Sequence, residues 1–331
     1  MKERKAGLDL LRCTALLLVV TFHSYLNNGY YYEAQTGVDM FLAGSARWLS
    51  TACNGLFLML TGWLKSRETG VRACWKGLPA VLVGYLIAAV ISVPVRHFLL
   101  DDRQTLGEWI LRILQVRGVY YGWYVEMYVG LILLSPFLNR LLEELEKPVA
   151  LLLLAVLTGL TGLPGVLGIL PDYWRAFYPV TYYILGALIR RLDIRLPPWL
   201  GLSGAGVLSC LMGLLTVLST DKTIYEAAAW EFGDLPVMGI GFFLFASLHH
   251  LELPDKAGRL LRFGAGGCYG GYLLSHLMDA WCYRLFPGWN APEYYGLLFL
   301  CVTVPVFTVS AGAGFLLESA AGCLTGRRRG R

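Results

Sequence analysis

Gly7-Leu-Asp-Leu-Leu-Arg-Cys-Thr-Ala-Leu-Leu-Leu-Val-Val-Thr-Phe-His23 is an apolar run carrying three ionisable residues, Asp9, Arg12 and His23. Preceded by Met-Lys-Glu-Arg-Lys, it has the outline of a signal peptide, but no small-residue cleavage site follows and more apolar runs come after it. It is therefore expected to stay as a first transmembrane helix. A span takes about 20 mostly apolar residues to cross a hydrocarbon core of about 30 Å. By that measure ten candidate spans follow one another along the chain, at about 8–26, 50–64, 77–98, 121–139, 148–168, 174–190, 198–218, 235–250, 264–285 and 294–317. The second and eighth are short, which tilt or a locally thin bilayer accommodates. Tyr173-Trp174-Arg175 and Pro179 interrupt the outer end of the sixth.

Composition agrees with the runs. Of 331 residues, 56% are hydrophobic and 15% charged, where soluble domains carry roughly 25% charge. A single soluble core stops growing at about 250 to 300 residues, so the surplus apolar surface must face lipid. The expected fold is an all-α polytopic transmembrane bundle of about ten spans, forming one domain over 1–331. With both termini inside, the cytoplasmic segments hold more than twice as many Lys and Arg as the outer ones, among them Arg190, Arg191 and Arg195, then Lys256, Arg259 and Arg262. The positive-inside rule thus places both termini in the cytoplasm. The basic tail at Arg327, Arg328, Arg329 and Arg331 follows a span directly, so it reads as a stop facing anionic lipid, with no nucleic-acid partner. Eight scattered cysteines form no C-x-x-C pair, which argues against a disulfide framework or a metal site. Aromatics gather at the outer boundary (Tyr30 to Tyr32, Trp109, Tyr120, Tyr121, Trp123, Tyr173, Trp174, Trp289, Tyr294, Tyr295) and read as an interfacial belt.

Ionisable groups inside spans are costly and mark candidate sites. Arg12 and His23 are eleven residues apart, close to three helical turns, so they share a face about 16 Å apart along the axis. Asp9, one turn before Arg12, can pair with it. Snorkelling at the interface accounts for that pair as well as function does. His23 lies deeper, where it either bridges two helices or serves in chemistry. Arg96 and His97 flank the outer end of the third span and suggest a loop role. His249 and His250 close a cytoplasmic helix end, where the helix dipole suffices.

The run from Gly7 to His23 resembles the first helix of the acyltransferase-3 family, integral membrane proteins that typically O-acetylate sugars and other envelope molecules. The Arg12 to His23 spacing matches that family's functional pair. Asn54-Gly55-Leu56-Phe57-Leu58-Met59-Leu60-Thr61-Gly62-Trp63-Leu64 is similar to its Phe-Phe-x-x-Ser-Gly-Phe-Leu signature, with Thr61 standing for Ser. Trp123 to Leu131, through Pro136, resembles a fourth-helix stretch, and Thr181-Tyr182-Tyr183-Ile184-Leu185-Gly186 also has the family look. Gly271 to Asp279 is similar to a segment in which Tyr-Leu-x-His is common. Here Ser275 takes the histidine's position and His276 is displaced by one, about 100° around a helix. That variant form also resembles the membrane half of serine racemases linked to vancomycin resistance.

The resemblance implies a bacterial enzyme of the cytoplasmic membrane that takes acetyl from acetyl-CoA to a hydroxyl of an envelope carbohydrate or related acceptor. No metal is implied. His23 is then the candidate base, since imidazole ionises near neutrality, and Asp279 a candidate for orienting it. Arg12 would hold coenzyme A phosphates through its multi-donor fork, and the face from Arg12 to His23 would form the donor's path. Glu126, with Trp123 and Tyr124, is the candidate acceptor site, an interfacial carboxylate being the plainer reading of Glu126. The alternative class is a transporter or export module, such as serine uptake, without covalent chemistry.

Overall fold

A computed structural model describes residues 5–27, 36–167, 170–219, 232–285 and 299–326. Several expected features lie outside these residues: Tyr30 to Tyr32, Trp289, Tyr294 and Tyr295 of the aromatic belt, and the basic tail. Every regular element among the described residues is helical. In chain order they are α1 (Ala6–Asn27), α2 (Gly37–Thr51), α3 (Cys53–Lys65), α4 (Val71–Trp75), α5 (Leu78–Leu99), α6 (Leu106–Leu114), α7 (Trp123–Glu144) and α8 (Lys147–Leu167). A 3-10 turn (Asp172–Phe177) leads to α9 (Tyr178–Leu192), α10 (Pro198–Ser219), α11 (Leu235–Leu248), α12 (Asp255–Ala265) and α13 (Cys268–Leu285). A π-helical turn (Phe299–Thr303) opens α14 (Val304–Leu324).

Six segments are long and apolar enough to cross a membrane: Ala6–Asn27, Val71–Leu99, Trp123–Glu144, Lys147–Pro164, Pro198–Ser219 and Phe299–Leu324. The four other expected spans correspond to α3, α9, α11 and α13, which are shorter or more polar. The short second span acquires a neighbour that the hydropathy pattern did not show. Helix α2 ends at Thr51 and α3 begins at Cys53, with the Ala52 amide bonded back to the Leu49 carbonyl at 3.3 Å. Arg47 falls between the first and second expected spans, where the charge count takes it as an outer-segment residue; it instead lies on α2 and is buried in the bundle, which corrects that count.

Helix α1 is the centre of the molecule. Of its apolar stretch 72% is buried, against 22–39% for the other five long segments, and it touches α2, α3, α11, α12, α13 and α14. The outer helices turn Leu and Val outward instead, as with Leu82, Leu86 and Val90 of α5 and Val207, Leu214 and Leu218 of α10. These are the surfaces that solvate in lipid.

Lipid supplies no hydrophobic drive between helices, so close backbone approach through small residues does the work. A Cβ on Gly62 of α3 would overlap the Tyr183 carbonyl of α9, and one on Gly186 of α9 would overlap the Met59 carbonyl of α3. The two glycines therefore form a reciprocal crossing, which explains why both stretches containing them carry glycine.

Candidate active site

The two ends of α1 differ. Near its start, Arg12 Nη1 donates to Asp9 Oδ1 at 2.6 Å, with Asp9 buried and Arg12 26% exposed. Near its end His23 is 7% exposed. Between them Leu16, Val19 and Val20 are fully packed, so the face joining Arg12 to His23 is closed by side chains rather than open as a channel.

The surroundings of His23 come from distant segments. Its ring stacks on Tyr121 with centroids 3.7 Å apart and planes 6° from parallel. The Tyr121 carbonyl accepts from the Tyr272 hydroxyl of α13 at 3.1 Å, which fixes the backbone that carries the stacked ring. His276, one turn beyond Tyr272, stacks on Tyr120 at 4.5 Å and meets Tyr121 edge-on at 5.5 Å. Two imidazoles thus flank one tyrosine. Ser275, standing at the resemblance's histidine position, bonds back to the Tyr272 carbonyl at 3.0 Å. The displaced histidine is therefore the one that reaches the site.

The His23 Nδ1 is fully buried with no hydrogen-bond partner among the described residues. His23 lines a cavity of about 310 Å³ with Phe22, Cys53, Asn54, Tyr120 and Phe232. The Asn54 side-chain nitrogen is likewise buried without a partner among the described residues. The Phe232 carbonyl accepts from the Tyr182 hydroxyl at 2.8 Å, and its ring stacks on Trp123 at 5.8 Å. Arg47 stands behind the wall, its guanidinium 3.8 Å from the Phe22 ring, with a hydrogen bond to Thr51. An imidazole with a free lone pair in an apolar, aromatic wall can accept a proton that bulk water does not compete for.

A second cavity, of about 630 Å³, adjoins the first through Tyr120 and Trp123, which line both. Its wall includes Arg96, Arg112, Arg117 and the exposed Glu126. Of the three residues expected to contact an acceptor, Trp123 and Glu126 reach a cavity. Tyr124 is buried and packs on Tyr272 at 5.1 Å and Phe57 at 6.2 Å, supporting the wall from behind. Asp279 is buried on α13 with neither carboxyl oxygen bonded among the described residues, and no hydrogen bond or ion pair joins it to His23. Arg12 lines neither cavity.

Tyr121 and His276 join the site without being among the site residues expected from the sequence. Tyr121 was absorbed into the interfacial belt. The i, i+4 spacing of Tyr272 and His276, which puts both on one face of α13, was the available signal.

A family model described as an acyltransferase domain, that of the acyltransferase-3 family, matches residues 5–313. No curated protein and no solved structure matches the chain. The match covers nearly the whole chain, so the protein belongs to this family of membrane acyltransferases and is an enzyme that transfers acyl groups.

Proposed function

With that membership as premise, we propose that the protein transfers acetyl from acetyl-CoA to a hydroxyl of an envelope carbohydrate or related acceptor. It would do so as a multi-pass protein of the bacterial cytoplasmic membrane, with about ten spans and both termini inside. His23 takes the acceptor hydroxyl's proton as that oxygen attacks the thioester carbonyl, then returns the proton to the departing sulfur. What carries the reading is the His23 imidazole, which lines a cavity, is stacked in place by Tyr121 and has a buried Nδ1 with no hydrogen-bond partner among the described residues. An imidazole that only bridged helices would be bonded to one of them.

The inner end of the bundle suits the donor's phosphates. Arg12 is part-exposed beside Asp9, while Lys5 and Arg190 lie 5.3 Å and 4.5 Å from the Trp63 ring. Arg12 would bind phosphate there. Because Leu16, Val19 and Val20 are packed, the donor's arm must part them or pass by another face of α1. On the far side, Glu126 and Trp123 would bind the acceptor, whose hydroxyl reaches His23 past Tyr120 and Trp123. Asp279 would contribute by orienting the imidazole in the reacting complex.

The test uses purified protein in nanodiscs with acetyl-CoA labelled in the acetyl group and a panel of hydroxylated glycans. Label appearing on a glycan only in the presence of protein supports the proposal. Serine uptake into proteoliposomes, with no label transferred to any acceptor, would overturn it.

A further inference from the structure

Arg96 sits in the last turn of α5 and is 7% exposed. Its hydrogen bonds go to two loop carbonyls and to the Asp102 carboxylate. Nη1 donates to the Gly118 carbonyl at 3.1 Å and the Arg117 carbonyl at 3.5 Å, while Nε and Nη2 donate to Asp102 Oδ2 at 3.0 Å and 2.5 Å. Its guanidinium also lies 4.9 Å from the Trp109 ring of α6. One planar fork thus joins α5, α6 and the loop between α6 and α7, a geometry that a lysine ammonium does not reproduce.

That loop is strained and held on several sides. Val116 has φ 56°, a left-handed conformation that is a genuine outlier for a β-branched residue. Such conformations cost about 1–3 kcal/mol and persist only where the surroundings over-determine them. The surroundings here are explicit. The Tyr85 hydroxyl accepts from the Gly118 amide at 3.1 Å and donates to the Ile113 carbonyl at 2.9 Å. The Arg117 amide reaches the Arg112 carbonyl at 2.7 Å. At Gly122 a Cβ would overlap the Val116 carbonyl, so the chain folds back on itself there. From α13, Tyr272 takes the Tyr121 carbonyl. The loop delivers two rings, Tyr121 to His23 and Tyr120 to His276.

We infer that Arg96 is a positioning residue: by clamping the 115–122 loop it holds Tyr121 against His23 and so sets the orientation of the imidazole. The catalytic part of this inference rests on the proposed role of His23, whereas the clamp itself concerns only where the ring is held. The ion pair with Asp102 engages Nε and Nη2, and Nη1 is the arm of the fork that holds the loop carbonyls. The second imidazole gains from the same clamp, since Tyr120 and Tyr121 are adjacent.

The experiment measures carbethoxylation of His23 by mass spectrometry in the full-length protein, with His249 as internal reference, beside kcat and KM of acyl transfer. In the wild type the stacked ring should react slowly. Arg96→Gln and Arg96→Lys should both raise the His23 rate several-fold and lower kcat by about 10²-fold, the cost of a misplaced catalytic group, with KM for the acceptor little changed. Lysine retains charge for Asp102 but loses the fork, so its failure to rescue separates clamping from ion pairing. Wild-type His23 reactivity and kcat in Arg96→Lys would overturn the inference. Should the Arg96 variants not fold, Asp102→Asn, which removes the ion pair but leaves Nη1 on the loop carbonyls, should keep both readings near wild type. A shift there as large as the one expected for Arg96→Lys would assign the effect to the ion pair and overturn the inference. Carbethoxylation requires no acyl transfer, so absence of transfer in the wild type would remove the proposed function while leaving the clamp decided by this measurement.

Discussion

Replacing His23 by Gln separates a catalytic imidazole from a packed one, because the structure bounds what the ring can contribute to folding. The buried Nδ1 has no hydrogen bond to lose among the described residues. What the ring has is the stack on Tyr121 at 3.7 Å, and such aromatic pairs contribute about 0.5–1.5 kcal/mol beyond area burial. Glutamine keeps similar length and polarity, so the stability cost should stay near that range. A lost general base costs about 10²- to 10⁴-fold in rate, equivalent to about 2.7–5.4 kcal/mol at 1.36 kcal/mol per tenfold. The two effects therefore do not overlap. Initial rates of label transfer, taken beside the melting temperature of the same detergent-solubilised preparation, read both. The expected result is folded protein with transfer down at least about 100-fold. If folded His23→Gln keeps more than about a tenth of wild-type transfer, a stacking loss alone accounts for it, and His23 is not the base.

The remaining predictions concern binding, packing and acid stability. Arg12→Lys should weaken coenzyme A binding measured by calorimetry, because a point charge replaces a fork; unchanged affinity would leave Arg12 as the structural partner of Asp9. Gly62→Ala should lower the melting temperature by the equivalent of at least the 1–3 kcal/mol of ordinary overpacking, since its Cβ meets α9 backbone, while Gly130→Ala, with open space around it, should not. Equal melting temperatures for the two variants would contradict the close crossing of α3 and α9. Asp102 has its carboxyl held below the usual range: burial opposes this, but hydrogen bonds from Gln104 and Arg96 and the charges of Arg96 and Arg112 outweigh it. Its contribution is fully present above the ordinary carboxylate value of about 3.9 and disappears as pH falls through the lowered one. The melting temperature of wild type should thus exceed that of Asp102→Asn at pH 6, and the two should converge below about pH 4. A gap that stays constant to pH 3 would contradict the ion pairing.

The long helices were legible because their signal is local. The expected spans 77–98 and 198–218 fall within a residue of α5 and α10 at each end, since an unbroken apolar run needs no partner to define it. The Asp9 to Arg12 pair was legible for the same reason, three residues being one turn. Helix α2 was not. Gly44, Ser45, Arg47, Ser50 and Thr51 dilute its hydropathy, and the helix places its small and polar residues inside. Gly44 and Ser45 face Gly213 of α10, and Trp48 Nε1 donates to Thr216 of α10 at 3.2 Å. A helix stabilised by close approach to a neighbour has no apolar run to announce it.

The site divides along the same line, and α13 shows where. Tyr272, His276 and Asp279 follow i, i+4, i+7 spacing, so they share one face, and that stripe can be read from the sequence. Which step of it serves His23 cannot be read there. Asp279 stands about 4.5 Å further along the axis than His276 at 1.5 Å per residue. It is His276 and Tyr272 that meet the tyrosine stacked on His23. The level of that meeting is set by where the 115–122 loop crosses, and the crossing is set by Arg96 and Tyr85 of α5. The partner of the α1 histidine is thus chosen by residues on a third helix, through a loop whose strained Val116 has no sequence signature of its own.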